Sequence, residues 1–130
     1  MLEKRFSINA CAAEVEMARM THKKLEGSLI ASAEEIRKAA IETKRLEVKL
    51  AAAKLAQSEY YLSSLMARAD FLEARCAQVN AVGRELEELA WICEALPINK
   101  ATVARLSIEM EKLKRELDAL ASDHLLAQSA

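Results

Sequence analysis

Residues 41–60 read IETKRLEVKLAAAKLAQSEY, and two separate stripes run through them. One follows Thr43, Leu46, Leu50, Ala53, Gln57 and Tyr60; the other follows Ile41, Lys44, Val48, Ala51, Leu55 and Ser58. Both step by three and four residues, the rhythm at which side chains return to one side of an α-helix. At about 100° per residue the two stripes lie on roughly opposite faces. A two-stranded coil needs only one stripe. A helix with two, rich in small alanine, is predicted to lie between neighbours in a bundle.

Both stripes extend beyond this segment. Toward the N-terminus the first continues through Ile8, Cys11, Val15, Ala18, His22, Leu25, Leu29, Ser32, Ile36 and Ala39, as a heptad seam. Toward the C-terminus the second continues through Leu62, Leu65, Ala69, Leu72, Cys76 and Val79. A third stripe is Val79, Val82, Leu86, Leu89, Cys93 and Leu96; a fourth is Val103, Leu106, Met110, Leu113, Leu117 and Leu120, ending at His124. The third, continued, would reach Lys100, whereas the fourth begins at Val103, and a three-residue slip of this kind rotates the apolar face.

The slip coincides with the only proline, Pro97, which lacks an amide donor and pushes Leu96 away from the α region. The sequence therefore predicts either a kinked helix or a tight hairpin through residues 97–100, and the lack of glycine there favours the kink. Gly27 suits a helix end, and Ser32 with Glu35 has capping-box spacing, yet the first seam crosses this region in phase. Gly83 reads as a point of close helix approach or flexibility. The expected architecture is all-α and elongated, a coiled-coil or helical-bundle subunit. It has an N-terminal helix over 1–27, a long central helix over 28–96, and a C-terminal helix over 97–130.

Alanine, leucine, glutamate, lysine and arginine dominate, and the chain holds two glycines and one proline in 130 residues. Such a chain has few places to fold back, so much of its apolar surface is expected to be covered by other chains. The side chains expected to carry those contacts are Val48, Leu55, Leu62, Leu65, Leu72, Val79, Val82, Leu86, Leu89 and Leu96, then Val103, Leu106, Met110, Leu113, Leu117 and Leu120. Trp91, off the strict seam, is the expected interface anchor or a cover for the junction at Pro97. Tyr60 is expected to pack and Tyr61 to contact a partner. Polar seam positions His22, Ser32, Thr43, Lys44, Gln57 and Ser58 are expected to help set register.

The net charge is −1 with acids and bases interleaved, so no field recruits nucleic acid or an anionic membrane. Uncharged runs such as 6–13 and 60–67 are too short to span a bilayer, and neither a transmembrane segment nor a signal peptide is expected. Cys11, Cys76 and Cys93 lack regular spacing and read as apolar fillers in a reducing, cytosolic compartment. There is no phosphate loop, no paired histidine motif and no Cys/His cluster at metal spacing, so no cofactor, metal, small-molecule substrate or catalysis is expected. His124 suits a helix C-terminus, and ion pairs are expected for Glu34 with Lys38, Glu111 with Arg115 and Lys112 with Glu116.

Two segments, Leu29-Ile30-Ala31-Ser32-Ala33-Glu34-Glu35 and Gln78-Val79-Asn80-Ala81-Val82, the latter followed by Leu86-Glu87-Glu88-Leu89, resemble a known family at similar separation. It is the second subunit of the complex for biogenesis of lysosome-related organelles, shared with the related lysosome-positioning complex. The resemblance covers about Gly27 to Leu117, and Pro97 departs from the family's pattern. It implies a non-catalytic helical subunit of an elongated assembly at the cytosolic face of endosomes and lysosomes, with no ligand residues to carry over. The residues themselves support three expectations: a subunit joining other helical chains into a scaffold, a self-associating cytoskeletal or microtubule-linked coil, or a helical adaptor that folds on its partner.

Overall fold

A computed structural model describes residues 7–78 and 83–129, and within them the chain is all-α. The helices are α1 (Ile8–Glu26), α2 (Ala33–Cys76) and α3 (Gly83–Ser129). The long central helix expected over 28–96 therefore ends at Cys76. The chain turns at Ala77 and Gln78 and restarts as α3 at Gly83, the start of a helix rather than a close approach, since a Cβ there would meet nothing within 4 Å.

Ion pairs give the directions. Arg75 pairs with Glu85 at 2.8 Å, Arg68 with Glu88 at 2.8 Å and Lys44 with Glu116 at 3.3 Å, while Gln128 bonds Glu34 at 3.3 Å. Rising numbers in α3 meet falling numbers in α2, so the two run antiparallel along their whole length. The same reversal relates α1 to α2, through Glu14–Lys49 at 3.3 Å and Arg19–Glu47 at 3.4 Å.

The two stripes of α2 explain the layout. The first faces α1, with Cys11 and Val15 of α1 and Thr43 and Leu46 of α2 buried. The second faces α3, burying Ala51, Leu55, Leu65, Ala69 and Leu72. α1 and α3 each pack along α2, and their contacts with each other are few. Both neighbours that α2 requires come from its own chain. The chain thus covers for itself part of the apolar surface that its shortage of turn residues was expected to leave to others. The tightest cluster joins Leu65, Ala69 and Leu72 to Ile92, with Leu89, Ala95 and Leu96 packed around it. Leu72 is fully buried at 0% and Ile92 at 2%, each stabilising the fold by roughly 2–3 kcal/mol on area grounds.

The reversal between α1 and α2 is a real turn. The seam continues in phase, but Leu29 and Ile30 stand almost fully exposed at 103% and 95%. Gly27 ends α1 with φ −83°, an ordinary right-handed conformation, and donates to the Lys23 carbonyl at 3.2 Å. Ser32 then opens α2: its hydroxyl oxygen accepts from the Glu35 amide at 3.1 Å and its O–H donates to the Glu35 carboxylate at 3.3 Å. The sequence spacing predicted this cap, and it is present.

Pro97 produces neither a break nor a hairpin. It lies inside α3, exposed, on the side away from α2. Nor does the apolar face slip there. Glu85, Leu89, Ile92, Leu96, Asn99, Val103, Leu106, Met110, Leu113, Leu117, Leu120 and His124 form one unbroken three-four rhythm, all buried or half-buried. Past the proline, Asn99 Nδ2 donates to the Ala95 carbonyl at 2.8 Å and Thr102 Oγ1 to the Ile98 carbonyl at 3.1 Å. The cost of Pro97 is one missing amide donor to the Cys93 carbonyl and a ring pressed toward it, on the solvent side where long helices are convex. Pro97→Ala restores that bond and is expected to raise the unfolding free energy by about 2 kcal/mol, within the ~3 kcal/mol that proline costs a helix interior. A urea titration measures it; a lowered midpoint would mean that α3 needs the proline to follow α2.

Candidate interaction faces

Most residues expected to face partner chains pack within this one. Leu55, Leu65, Leu72 and Leu106 are buried, and Val48, Leu62, Leu89, Leu96, Val103, Met110, Leu113, Leu117 and Leu120 are half-buried along the helix seams. Val79 and Val82 lie outside the described residues. Leu86 and Trp91 remain free of the core, 50% and 56% exposed. Trp91 stands largely in solvent. With Ala95, Ile98 and Asn99 it edges a shallow groove along α3, next to Glu94.

Other large apolar side chains on the surface were not anticipated by the stripes. Phe71, Ile98 and Ile108 are exposed, as are Met66, Leu125 and Leu126. They sit off every seam, and that is the signal a sequence offers: a large apolar residue where the heptad demands none. Tyr60 and Tyr61 are both half-exposed, so Tyr60 is not the packed residue its seam position suggested. Arg68 reaches over the Phe71 ring at 5.1 Å while pairing with Glu88, fixing that aromatic beside the ion pair.

The polar seam positions divide. Thr43 is buried and bonds its own helix at the Ala39 carbonyl, 2.9 Å away. Lys44 joins α2 to α3 through Glu116, with Glu47 also near at 3.7 Å. His22 Nε2 approaches Glu26 at 3.4 Å on the flank of α1. Gln57 is exposed and sets nothing. Glu34–Lys38 forms as expected at 3.4 Å, but Glu116 pairs across to Lys44 and Glu111 with Lys114 at 3.6 Å. His124 is half-buried against the other helices, with Nδ1 lacking a hydrogen-bond partner.

The electrostatics are those of helix flanks. The Arg68 guanidinium holds the Glu88 carboxyl below its usual range by hydrogen bonding, Arg45 does the same for Glu42, and Gln128 followed by Lys38 does so for Glu34. A carboxyl depressed in the folded chain contributes stability that is present above its unfolded value and lost as pH falls through the folded one. Thermal midpoints measured against pH should therefore decline on acidification. In Glu88→Gln the part owed to this pair disappears, so the mutant and parent curves converge at low pH. Curves that stay parallel would mean that the pair contributes nothing to folding.

Where the three helices meet, a groove has an apolar floor of Leu50, Ala51, Leu106 and Leu113, with Arg19, Glu47, Lys54 and Glu109 at its rim. Among the described residues no three His, Cys, Asp or Glu side chains stand together as a metal site, and no helix is long and apolar enough to cross a membrane. All three thiols are free: Cys11 buried, Cys76 half-buried and Cys93 exposed. Comparison with family models, curated proteins and solved structures gives no match.

Proposed function

We propose that this chain is a non-catalytic helical subunit that joins other helical chains into a multi-protein scaffold. The observation that carries the reading is the surplus of apolar surface left after the core is built. Leu86, Trp91, Ile98, Ile108, Tyr61 and Phe71 stay exposed on rigid helices, although the stripes between helices are filled. Large aromatic and aliphatic side chains held on a fixed backbone are what binding sites use as anchors, because little side-chain freedom is lost when they are covered. The resemblance of 29–35 and 78–82 to the second subunit of the complex for biogenesis of lysosome-related organelles makes helical subunits at the cytosolic face of endosomes and lysosomes the first partners to test.

Affinity purification of the tagged chain under native conditions, with stoichiometry by mass spectrometry, tests this. Several small helical proteins in near-equal amounts are expected, and Trp91→Glu combined with Phe71→Glu should remove them while the circular dichroism of the purified chain is unchanged. Recovery of the chain alone would remove the scaffold reading.

A further inference from the structure

The outer side of α3 carries a stripe that no described part of the chain covers. Leu86, Ala90, Cys93, Pro97, Ala101, Ala104 and Ile108 follow at intervals of four, three, four, four, three and four, and each is exposed, Ile108 at 69%. Their mean repeat is close to the 3.6 residues of a straight helix, so the stripe stays on one side for ~33 Å. It lies about 130° around the axis from the seam that α2 occupies.

This stripe reads the same in both directions. Leu86 and Ile108 are equidistant from Pro97, and so are Ala90 and Ala104, and Cys93 and Ala101. Laid antiparallel with a two-fold axis at Pro97, two such helices would set branched aliphatic against branched aliphatic at the ends. Small would meet small in the middle, allowing the axes to approach toward ~8 Å. The charges agree with that arrangement. Glu87 and Arg105 lie on the same flank of the stripe, both exposed and neither paired among the described residues. An antiparallel two-fold brings like flanks together, so Glu87 of each copy comes opposite Arg105 of the other. A parallel two-fold would instead bring unlike flanks together, setting the Glu87 and Arg105 side chains of the two copies on opposite edges of the pair, where they could not meet. Access is open among the described residues, since every residue of the stripe is exposed.

We propose that this face of α3 binds a second copy of the chain, antiparallel, with the two-fold at Pro97 and reciprocal Glu87–Arg105 pairs at its edges. Burial of the stripe supplies the affinity, and the rim charges select the direction. The proposal takes Leu86 and Ile108 out of the surface offered to other subunits, and the purified chain tests it with no other protein present, so its failure is distinguishable from that of the scaffold reading.

Sedimentation equilibrium should give twice the 14.4 kDa chain mass, and Ala104→Glu should return the mass to one chain with helicity unchanged. Disulfide trapping then fixes the geometry, in a background of Cys11→Ala, Cys76→Ser and Cys93→Ala. Pro97→Cys is expected to cross-link to itself. Ala90→Cys and Ala104→Cys are each expected not to do so, since their thiols would lie ~21 Å apart. An equal mixture of those two variants should cross-link. Self-linking of Ala90→Cys and Ala104→Cys would mean a parallel pair and overturn the proposal, as would a single-chain mass with no cross-link in any variant.

Discussion

Ile92→Asp is expected to unfold the α2–α3 pair, and Cys93→Asp, one position along, to leave it folded. Ile92 is 2% exposed and sits among Leu65, Ala69 and Leu72 of α2, whereas Cys93 faces solvent. Removing the isoleucine side chain alone costs about 2–5 kcal/mol, and a carboxylate placed in that apolar cluster adds a desolvation penalty with no cation to offset it. More than about 4 kcal/mol is therefore expected at Ile92, a large share of the about 5–15 kcal/mol that holds an ordinary domain together. At Cys93 the charge stays in water, and the change should lie within about 0.5 kcal/mol. Urea unfolding followed by circular dichroism, in dilute samples that keep the chain single, measures both. Equal losses would show that the inner face of α3 is misassigned.

The same pair shows where the sequence can be read and where it misleads. Running the stripe of Val103, Leu106 and Met110 backward at constant rhythm gives Asn99, Leu96, Ile92, Leu89 and Glu85, the observed inner face. Running the earlier stripe forward from Val79 and Val82 gives Leu86 and Cys93 instead, and an apparent slip at Pro97. The forward reading looks better because it is wholly apolar, while the true seam includes Glu85 and Asn99. Both polar groups are satisfied locally, Glu85 by Arg75 and Asn99 by the Ala95 carbonyl, so the seam tolerates them. Apolar content alone could not tell the faces apart.

The two stripes of α2 did predict two helical neighbours, and the structure has them. They could not say whose helices those are. That depends on the reversals at 27–32 and after Cys76, and neither carries a conspicuous Gly-Pro signal in the sequence. Gly27 works there in an ordinary right-handed conformation, and the seam keeps its phase from Leu25 through Leu29 to Ile36 although Leu29 itself is in solvent. A heptad that survives a turn by coincidence is indistinguishable, in sequence, from one that runs through a helix. Exposed faces are harder still. Ile98 and Ile108 emerge as surface residues only once the inner face is fixed.

Val15→Asp is expected to release α1 while α2 and α3 stay paired. Val15 is 1% exposed and, with Cys11, forms the buried part of α1 against Thr43 and Leu46. An uncompensated carboxylate there costs about 3 kcal/mol or more. A helix the length of α1, 19 residues, is marginal in water without a tertiary face, so the detached segment should also lose its helicity. Against the 44 and 47 residues of α2 and α3, that is roughly a sixth of the helical signal by circular dichroism. Hydrogen exchange should locate the loss in 8–26 and leave 62–76 and 85–106 protected, because the cluster of Leu65, Ala69, Leu72 and Ile92 has no contribution from α1. Thr43 keeps its bond to the Ala39 carbonyl within α2, so uncovering it strands no polar group. If exchange instead quickened throughout α2 and α3, the three helices would form one cooperative unit. The antiparallel pair would then not stand alone, and the outer face of α3 would depend on α1 for its rigidity.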